Sequence, residues 1–365
     1  MDFDIAIAGA GVIGLALAET FSQKGLCVAV VETQPSFGQG ISSRNSEVVH
    51  AGIYYPKESL KAKLCTTGNP LLYRFCKTRR IPHLCCGKLI VATEPDQEAE
   101  LDRLNANASA CGVSLKRLTS SQVKKMEPRV KASSALFSPT TGIVSAHHLM
   151  AALYRTARKQ KVIFSFETRV LEARHTGSGN TIRVQYRDGK EESFTSTYFI
   201  NAAGLYADTL AQRSGLPKDE VATHWWKGEY ASLALPQNAL KHLIYPVPQK
   251  ANTGLGIHTT LGIDGTTRLG PNAIYLPEKT EDYRVEPCRL PSFHEAASRY
   301  LEGITPTMIT PSMVGIRPKR QKPGDPVQDF LIHAISKKAQ IHLIGLESPG
   351  LTASLALAEH ISGLF

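Results

Sequence analysis

Phe3-Asp4-Ile5-Ala6-Ile7-Ala8-Gly9-Ala10-Gly11-Val12-Ile13-Gly14 opens a pattern that runs to Glu32 and decides the fold. Phe3 to Ala8 is a short apolar run, which reads as a fully buried strand. Leu15 to Lys24 carries apolar residues at helical spacing and stops at Gly25, a C-cap residue. Leu26 to Val31 is a second apolar run, closed by Glu32. The whole is a βαβ unit with its turn chemistry in place. Gly9 permits the tight turn, Gly11 lets a pyrophosphate approach the backbone, and Gly14 lets the helix pack on the strand. Val12 and Ile13 supply the first amides of the helix, whose N-terminus favours negative charge. Glu32 stands where a carboxylate bonds ribose hydroxyls and disfavours a 2′-phosphate. The hexapeptide alone does not distinguish NAD from FAD.

The rest of the chain narrows that choice. Tyr198 to Gly204 repeats the strand-then-glycine character, and Ala203 and Gly204 are placed with the cofactor-binding residues. Leu343 to Thr352 does so again before a helix of small and apolar residues, with Gly350, Leu351 and Thr352 at its start. A second helix N-terminus suits the end of a reduced flavin that develops negative charge. Three such turns favour a large cofactor, FAD. Val170, in the strand-like stretch from Lys161 to Arg174, is counted with the same set.

Residues 33–56 are rich in Gly, Ser, Asn and Pro and read as a long, functional loop. From about 222 to 311 the chain becomes short alternating segments broken by Gly and Pro, the pattern of an antiparallel sheet. The expected class is therefore α/β, an α+β pair of domains. A Rossmann-like doubly wound FAD-binding domain is assembled from discontinuous segments 1–80, 142–221 and 312–365. A mainly antiparallel-sheet substrate domain takes 81–141 and 222–311.

Composition removes several other classes. With 42% hydrophobic and 20% charged residues and no low-complexity tract, the chain is globular rather than disordered. The net charge of +10 reads as a basic solvated surface, as a field drawing anionic substrates, or as attraction to an anionic membrane face. Nucleic acid is not an expected partner, because the basic clusters at 77–80 and 317–320 are short and lack interleaved aromatics. The seven cysteines are irregularly spaced and contain no CxxC pair, which argues for a reducing compartment and against a thiolate zinc site. Adjacent His147 and His148 cannot point one way from a regular element, so no metal site is expected. Asp2 and Asp4 replace the basic start of a signal peptide, and no apolar run reaches the ~20 residues of a spanning helix. The expectation is a cytoplasmic protein, with peripheral contact at the inner face of a membrane left open. No Gly-x-Ser-x-Gly elbow is present, which argues against a hydrolase.

The run Ser42-Ser43-Arg44-Asn45-Ser46-Glu47-Val48-Val49-His50-Ala51-Gly52-Ile53-Tyr54-Tyr55-Pro56 resembles the loop of the L-2-hydroxyglutarate dehydrogenase family, FAD enzymes of the D-amino-acid-oxidase superfamily. The similarity continues in 59–65, 86–92, Lys227-Gly228-Glu229-Tyr230, Tyr245-Pro246-Val247-Pro248, Gly254 to His258, Gly270 to Ala273, Gly315-Ile316-Arg317-Pro318-Lys319 and 347–355. Many members carry His and Gly where this chain has Arg44 and Glu47. The resemblance implies oxidation of L-2-hydroxyglutarate to 2-oxoglutarate, with FAD reduced and then reoxidised by a quinone or another acceptor. Other substrates on the same scaffold are an amino acid or glycerol 3-phosphate, and a non-catalytic flavin-binding protein is a further alternative.

Removing an alcohol proton while a hydride leaves Cα needs a base, and histidine is the natural one. His50, in the loop, is the first candidate and His258 the second. Arg317 stands where superfamily members keep a carboxylate-binding arginine, and a planar fork matches a carboxylate. Lys319 is a further cation for a substrate with two carboxylates. Lys227, Tyr230, Tyr245, Asn272, Tyr54 and Tyr55 either line the substrate pocket or satisfy turns. Ser43, Arg44, Asn45 and Ser46 either donate to the cofactor or hold the loop in shape, and Gly315 is grouped with the cofactor residues.

Overall fold

In the computed structural model, which describes residues 1–248 and 256–364, the opening pattern folds as read. The strand Phe3–Ala8 leads through Gly9 into the helix Val12–Gln23 and back to the strand Val28–Val31. The two strands pair in parallel, with Ile5 opposite Val28 and Ala8 opposite Val31. The chain separates into two units.

The first unit comprises Met1–Ser43, Ala146–Trp225 and Arg317–Phe365. Its sheet runs Ile163–Ser165, Val28–Val31, Phe3–Ala8, Glu191–Asn201 and Gln340–Ile344, neighbours pairing in parallel. Leu331–Ile335 closes one edge in antiparallel register. The first half of the long strand Glu191–Asn201 pairs instead with Asn180–Tyr186, and that with Thr168–His175, both antiparallel. Helix Val12–Gln23 buries Leu15, Ala16, Leu17, Ala18 and Phe21, and it packs on Gly350–Ser362 and Ala146–Lys159. Its apolar residues surround the whole helix, which suits an element covered on more than one side.

Parallel pairing explains why three distant glycine turns belong together. Phe3–Ala8, Glu191–Asn201 and Gln340–Ile344 are sheet neighbours pointing the same way. The turns that follow them, at Gly9, at Asn201-Gly204 and at Gly345-Gly350, therefore share the carboxyl edge of the sheet, where open α/β folds bind ligands.

The second unit comprises Arg44–Ser145 and Trp226–Ile316. Among the described residues its main sheet has the order Ile274–Leu276, His224–Leu233, Thr267–Leu269, Thr259–Leu261, Leu243–Pro246, Lys88–Ala92, Ser134–Ser138, Lys116–Thr119. Leu243–Pro246 pairs with Lys88–Ala92 in parallel, while the pairs flanking these two strands are antiparallel. The helix Leu60–Arg79 is capped by Ser59, whose hydroxyl accepts the Ala62 N–H at 3.1 Å.

The division differs from the expected boundaries chiefly at 44–80, which clusters with the second unit. Long-range bonds account for this. Val48–Val49 pairs with Gly142–Val144, and Asn69 Nδ2 donates to the carbonyls of His50 (2.9 Å) and Thr140 (3.0 Å). The loop read from 33 to 56 is not wholly irregular either, since it holds a short 3-10 turn, Ile41–Ser43, and the strand Val48–Val49. Gly254 and Leu255 lie outside the described residues.

Candidate functional site

The residues expected to cradle the nucleotide lie at the carboxyl edge of the first unit's sheet. Gly9 has φ 103°, and a Cβ there would come 2.6 Å from the Ala202 carbonyl oxygen. A Cβ on Gly14 would collide with the Gly9 carbonyl, and one on Gly11 would press on Ser42 Oγ at 3.0 Å. Close approach to backbone thus requires Gly9 and Gly14, the positive φ requires glycine at Gly9 as well, and Gly11 is crowded only by the Ser42 hydroxyl. Ser42 Oγ accepts the Val12 N–H at 3.0 Å, and Ala202 N–H donates to the Ala8 carbonyl at 2.9 Å, tying the neighbouring turn to the first. Ala203 N–H in turn donates to Asn201 Oδ1 at 3.2 Å, and Gly204 has φ 58°. Ser43 ends the 3-10 turn, its hydroxyl donating to the Gly40 carbonyl at 3.0 Å.

Glu32 organises this cradle. One carboxylate oxygen accepts the Ala10 N–H at 2.7 Å, and the other accepts the Gln34 N–H at 2.9 Å. Its backbone carbonyl takes the N–H of Thr168 at 2.9 Å, which sets Val170 two residues along the same strand. Gly350 begins the helix Gly350–Ser362, and Thr352 is buried in its first turn. A Gly-rich turn with no room for side chains and an acid at the end of the second strand fits the dinucleotide half of FAD. Glu32→Gln should weaken FAD binding about tenfold, the loss of one charge-assisted bond to Ala10. Titration of the stripped protein with FAD checks this, and unchanged affinity would remove Glu32 from the cradle.

The loop after Ser43 belongs to the second unit and holds its own shape. Glu47 has φ 57°, the left-handed region where glycine is at ease, and Asn45 Oδ1 accepts its N–H at 2.8 Å. An Asx turn thus supports Glu47, the residue standing where the resembled family often has glycine, in that conformation. The Arg44 guanidinium lies over the Tyr283 ring, 4.2 Å from its centroid. Gly315 packs where its Cβ would strike the Arg44 carbonyl, so close backbone packing accounts for that glycine. Ser46 follows Asn45 and is half-buried. Asn107 Nδ2 pins the next turn by donating to the carbonyls of Ile53 and Tyr55 at 2.8 and 2.9 Å.

Both candidate bases fall in the second unit. The His258 ring stacks on Tyr245, centroids 3.7 Å apart, and its Nδ1 lies 2.9 Å from the Gly256 carbonyl. A carbonyl only accepts, so Nδ1 carries the hydrogen, and in the neutral ring the lone pair sits on Nε2. The His50 imidazole is held well below the ordinary histidine range, down to about 3, first by burial and then by the charges of Lys88 and His258. The Tyr54 hydroxyl is buried with no hydrogen-bond partner among the described residues, and burial raises its pKa far above the usual phenol range.

Lys227 and Asn272 meet a group that the sequence does not single out as a site residue, Glu229. Its fully buried carboxylate accepts from Arg289 (2.7 Å), Asn272 Nδ2 (2.8 Å) and the Glu286 N–H (3.2 Å), and lies 3.5 Å from Lys227 Nζ. Lys227 also pairs with Asp282 at 3.0 Å; Arg284 first and Lys227 next hold that carboxylate below its usual range. Lys227 and Asn272 are thus engaged with protein carboxylates. Tyr230 is buried next in sequence, and half-buried Tyr55 follows Tyr54. Arg317 and Lys319 are half-buried at the end of the strand Ile309–Lys319, and both fall in the first unit. Strand alternation puts their side chains on one face, opposite buried Ile316 and Pro318. Lys88 also escapes the sequence reading. Its only signal is a lysine opening the apolar run Leu89-Ile90-Val91-Ala92.

Residues 4–364 match the family described as FAD dependent oxidoreductase. The chain is 36% identical to the mitochondrial L-2-hydroxyglutarate dehydrogenase of Arabidopsis thaliana, covering 99% of this chain and 83% of that one. It is 30% identical to the mitochondrial L-2-hydroxyglutarate dehydrogenase of Homo sapiens, covering 99% and 88%. Among solved structures, FAD-bound L-alpha-glycerophosphate oxidase from Mycoplasma pneumoniae superposes with a TM-score of 0.88 over 99% of this chain and 94% of that one, at 24% identity, a likeness of fold.

Proposed function

We propose that this chain, which belongs to the FAD-dependent oxidoreductases and within them to the L-2-hydroxyglutarate dehydrogenase family, oxidises L-2-hydroxyglutarate to 2-oxoglutarate. The observation that carries this reading is the similarity to L-2-hydroxyglutarate dehydrogenases over nearly the whole chain, with His50 in the loop that bears the family resemblance. FAD, when bound, supplies the acceptor for the hydride that leaves Cα. The residues of the chain do the rest. Gly9, Gly11, Val12, Ile13, Gly14, Glu32, Ala203, Gly204 and the Gly350 helix start hold the cofactor. His50 accepts the hydroxyl proton as the carbonyl forms, and His258 orients the substrate through Nε2. Arg317 takes one carboxylate in its fork, Lys319 offers a second cation, and the orphan Tyr54 hydroxyl donates to the bound anion. Lys227 and Asn272 act through Glu229, which they hold in place.

The reoxidising partner is a quinone or another acceptor. Among the described residues no helix is long and apolar enough to cross a membrane. The charge of +10 favours peripheral contact of a cytoplasmic protein with an anionic membrane face.

The test is an anaerobic visible spectrum of the purified protein before and after L-2-hydroxyglutarate. The flavin band should bleach, with one 2-oxoglutarate formed per flavin. A band that stays yellow with this substrate but bleaches with glycerol 3-phosphate or an amino acid would move the assignment to that substrate.

A further inference from the structure

His342 stands at the centre of the strand Gln340–Ile344, opposite Asn201, the last residue of the parallel strand Glu191–Asn201. Both are fully buried. Backbone fixes the Asn201 amide at either end. Its Nδ2 donates to the Ala207 carbonyl at 2.7 Å, and its Oδ1 accepts the Ala203 N–H at 3.2 Å. A carbonyl only accepts and an N–H only donates, so the amide has one orientation. The same Nδ2 lies 3.1 Å from His342 Nδ1, which therefore accepts. Burial first, then the charges of His333 and Lys338, bring the His342 ring down to about 4, so it is neutral at working pH. Its hydrogen then sits on Nε2, which faces Gln340 Oε1 at 3.4 Å. Gln340 Nε2 donates to the Ala173 carbonyl at 3.1 Å and to Asn180 Oδ1 at 2.8 Å. Asn180 Nδ2 ends the row on the carbonyls of Thr197 and Ala339, both at 3.2 Å.

A row of buried polar side chains is tolerable only when each member is satisfied, as here. Its other end is the turn Asn201–Gly204. That turn also packs on the first glycine turn, where Ala202 N–H donates to the Ala8 carbonyl at 2.9 Å and a Cβ on Gly9 would come 2.6 Å from the Ala202 carbonyl oxygen. A rotation of the Asn201 amide would thus disturb two turns at the carboxyl edge of the sheet. We propose that His342 is a positioning residue for FAD, its Nδ1 lone pair holding the Asn201 amide, and through it the turn Asn201–Gly204, in the form that receives the cofactor. The role rests on the reading of Ala203 and Gly204 as cofactor residues. Without the acceptor, one Asn201 N–H is stranded in the core, and the amide no longer has a single best orientation.

The experiment titrates the stripped protein with FAD, following flavin fluorescence. His342→Leu should bind FAD about tenfold more weakly, the effect of one stranded buried donor. His342→Asn, whose Oδ1 can accept where Nδ1 stood, should recover most of that loss. Asn201→Ala should weaken binding at least as much as His342→Leu. Equal losses in His342→Leu and His342→Asn would assign the effect to packing and overturn the proposal. Unchanged affinity in a folded His342→Leu, with affinity lost in Asn201→Ala, also overturns it but keeps the turn in the cradle. Unchanged affinity in both overturns it and removes Ala203 and Gly204 from the cofactor set, which separates the two assignments. The wild-type holoenzyme gives a test that needs no variant to fold. Its ¹⁵N-labelled His342 signal, identified by proximity to the Phe199 ring (centroids 6.1 Å apart), should show a hydrogen on Nε2 and a bare Nδ1. A hydrogen on Nδ1 overturns the proposal.

Discussion

His50→Gln should slow anaerobic flavin reduction by L-2-hydroxyglutarate about 10²–10⁴-fold, the range for loss of a positioned general base. Glutamine keeps a polar side chain of similar reach but accepts no proton at working pH, and FAD content should not change. The pH dependence follows from the sign of the shift. The proton affinity of His50 is lowered to about 3, so the ring stays free base until the pH falls through that value. The profile of kcat/KM, which reports the free enzyme, should therefore lack an acid limb near the ordinary histidine value of about 6.5. Binding of a dianionic substrate places negative charge near the ring and raises its proton affinity, which favours abstraction once the substrate is seated. The limb in kcat should accordingly lie above that in kcat/KM. Steady-state rates over a range of substrate concentration and pH read both quantities. A normal reduction rate in His50→Gln would pass the role of base to His258 or to water.

What can be read from the sequence is local. The opening turn is legible because Gly9-x-Gly11-x-x-Gly14 sits between two elements that each announce themselves, and φ 103° at Gly9 is the conformation such a turn demands. The kinship of the three glycine turns is also legible, since each follows an apolar strand. Strand order is not, because pairing of Phe3–Ala8 with Glu191–Asn201 joins segments nearly two hundred residues apart. The attachment of 44–80 is hidden for the same reason: the bonds from Asn69 and from Val48–Val49 reach to 140–144. Lys88 escapes notice because lysine is rarely buried, and a lysine before an apolar run reads as the exposed start of a strand. Glu229 lies within a quoted motif, but its partners Asn272, the Glu286 amide and Arg289 stand 43, 57 and 60 residues further along the chain. No local pattern announces such a carboxylate, because its burial becomes tolerable only when those distant donors close around it.

Arg317→Ala should weaken substrate binding about 10²-fold, seen in KM, while leaving FAD affinity as it was. Truncating one partner of a hydrogen-bonded charge pair costs about 2–5 kcal/mol, and each 1.4 kcal/mol is about tenfold. The lower part of that range applies, because Arg317 is only half-buried. Arg317→Lys should recover part of the loss, since it restores the charge but not the planar fork that holds both oxygens of a carboxylate. Lys319→Ala should do less, being a point charge on the same face of the strand. Substrates discriminate the role further. If the fork meets the carboxylate beside the hydroxyl, Arg317→Ala should weaken every 2-hydroxy acid. If it meets the distal carboxylate, short 2-hydroxy monocarboxylates should bind the variant and the wild type alike. Equilibrium binding of 2-oxoglutarate to the oxidised enzyme, followed by flavin difference spectra, gives the same comparison without turnover. Unchanged KM and unchanged product binding would remove Arg317 from the site, and loss of FAD along with substrate would give it a structural part in the strand Ile309–Lys319 instead.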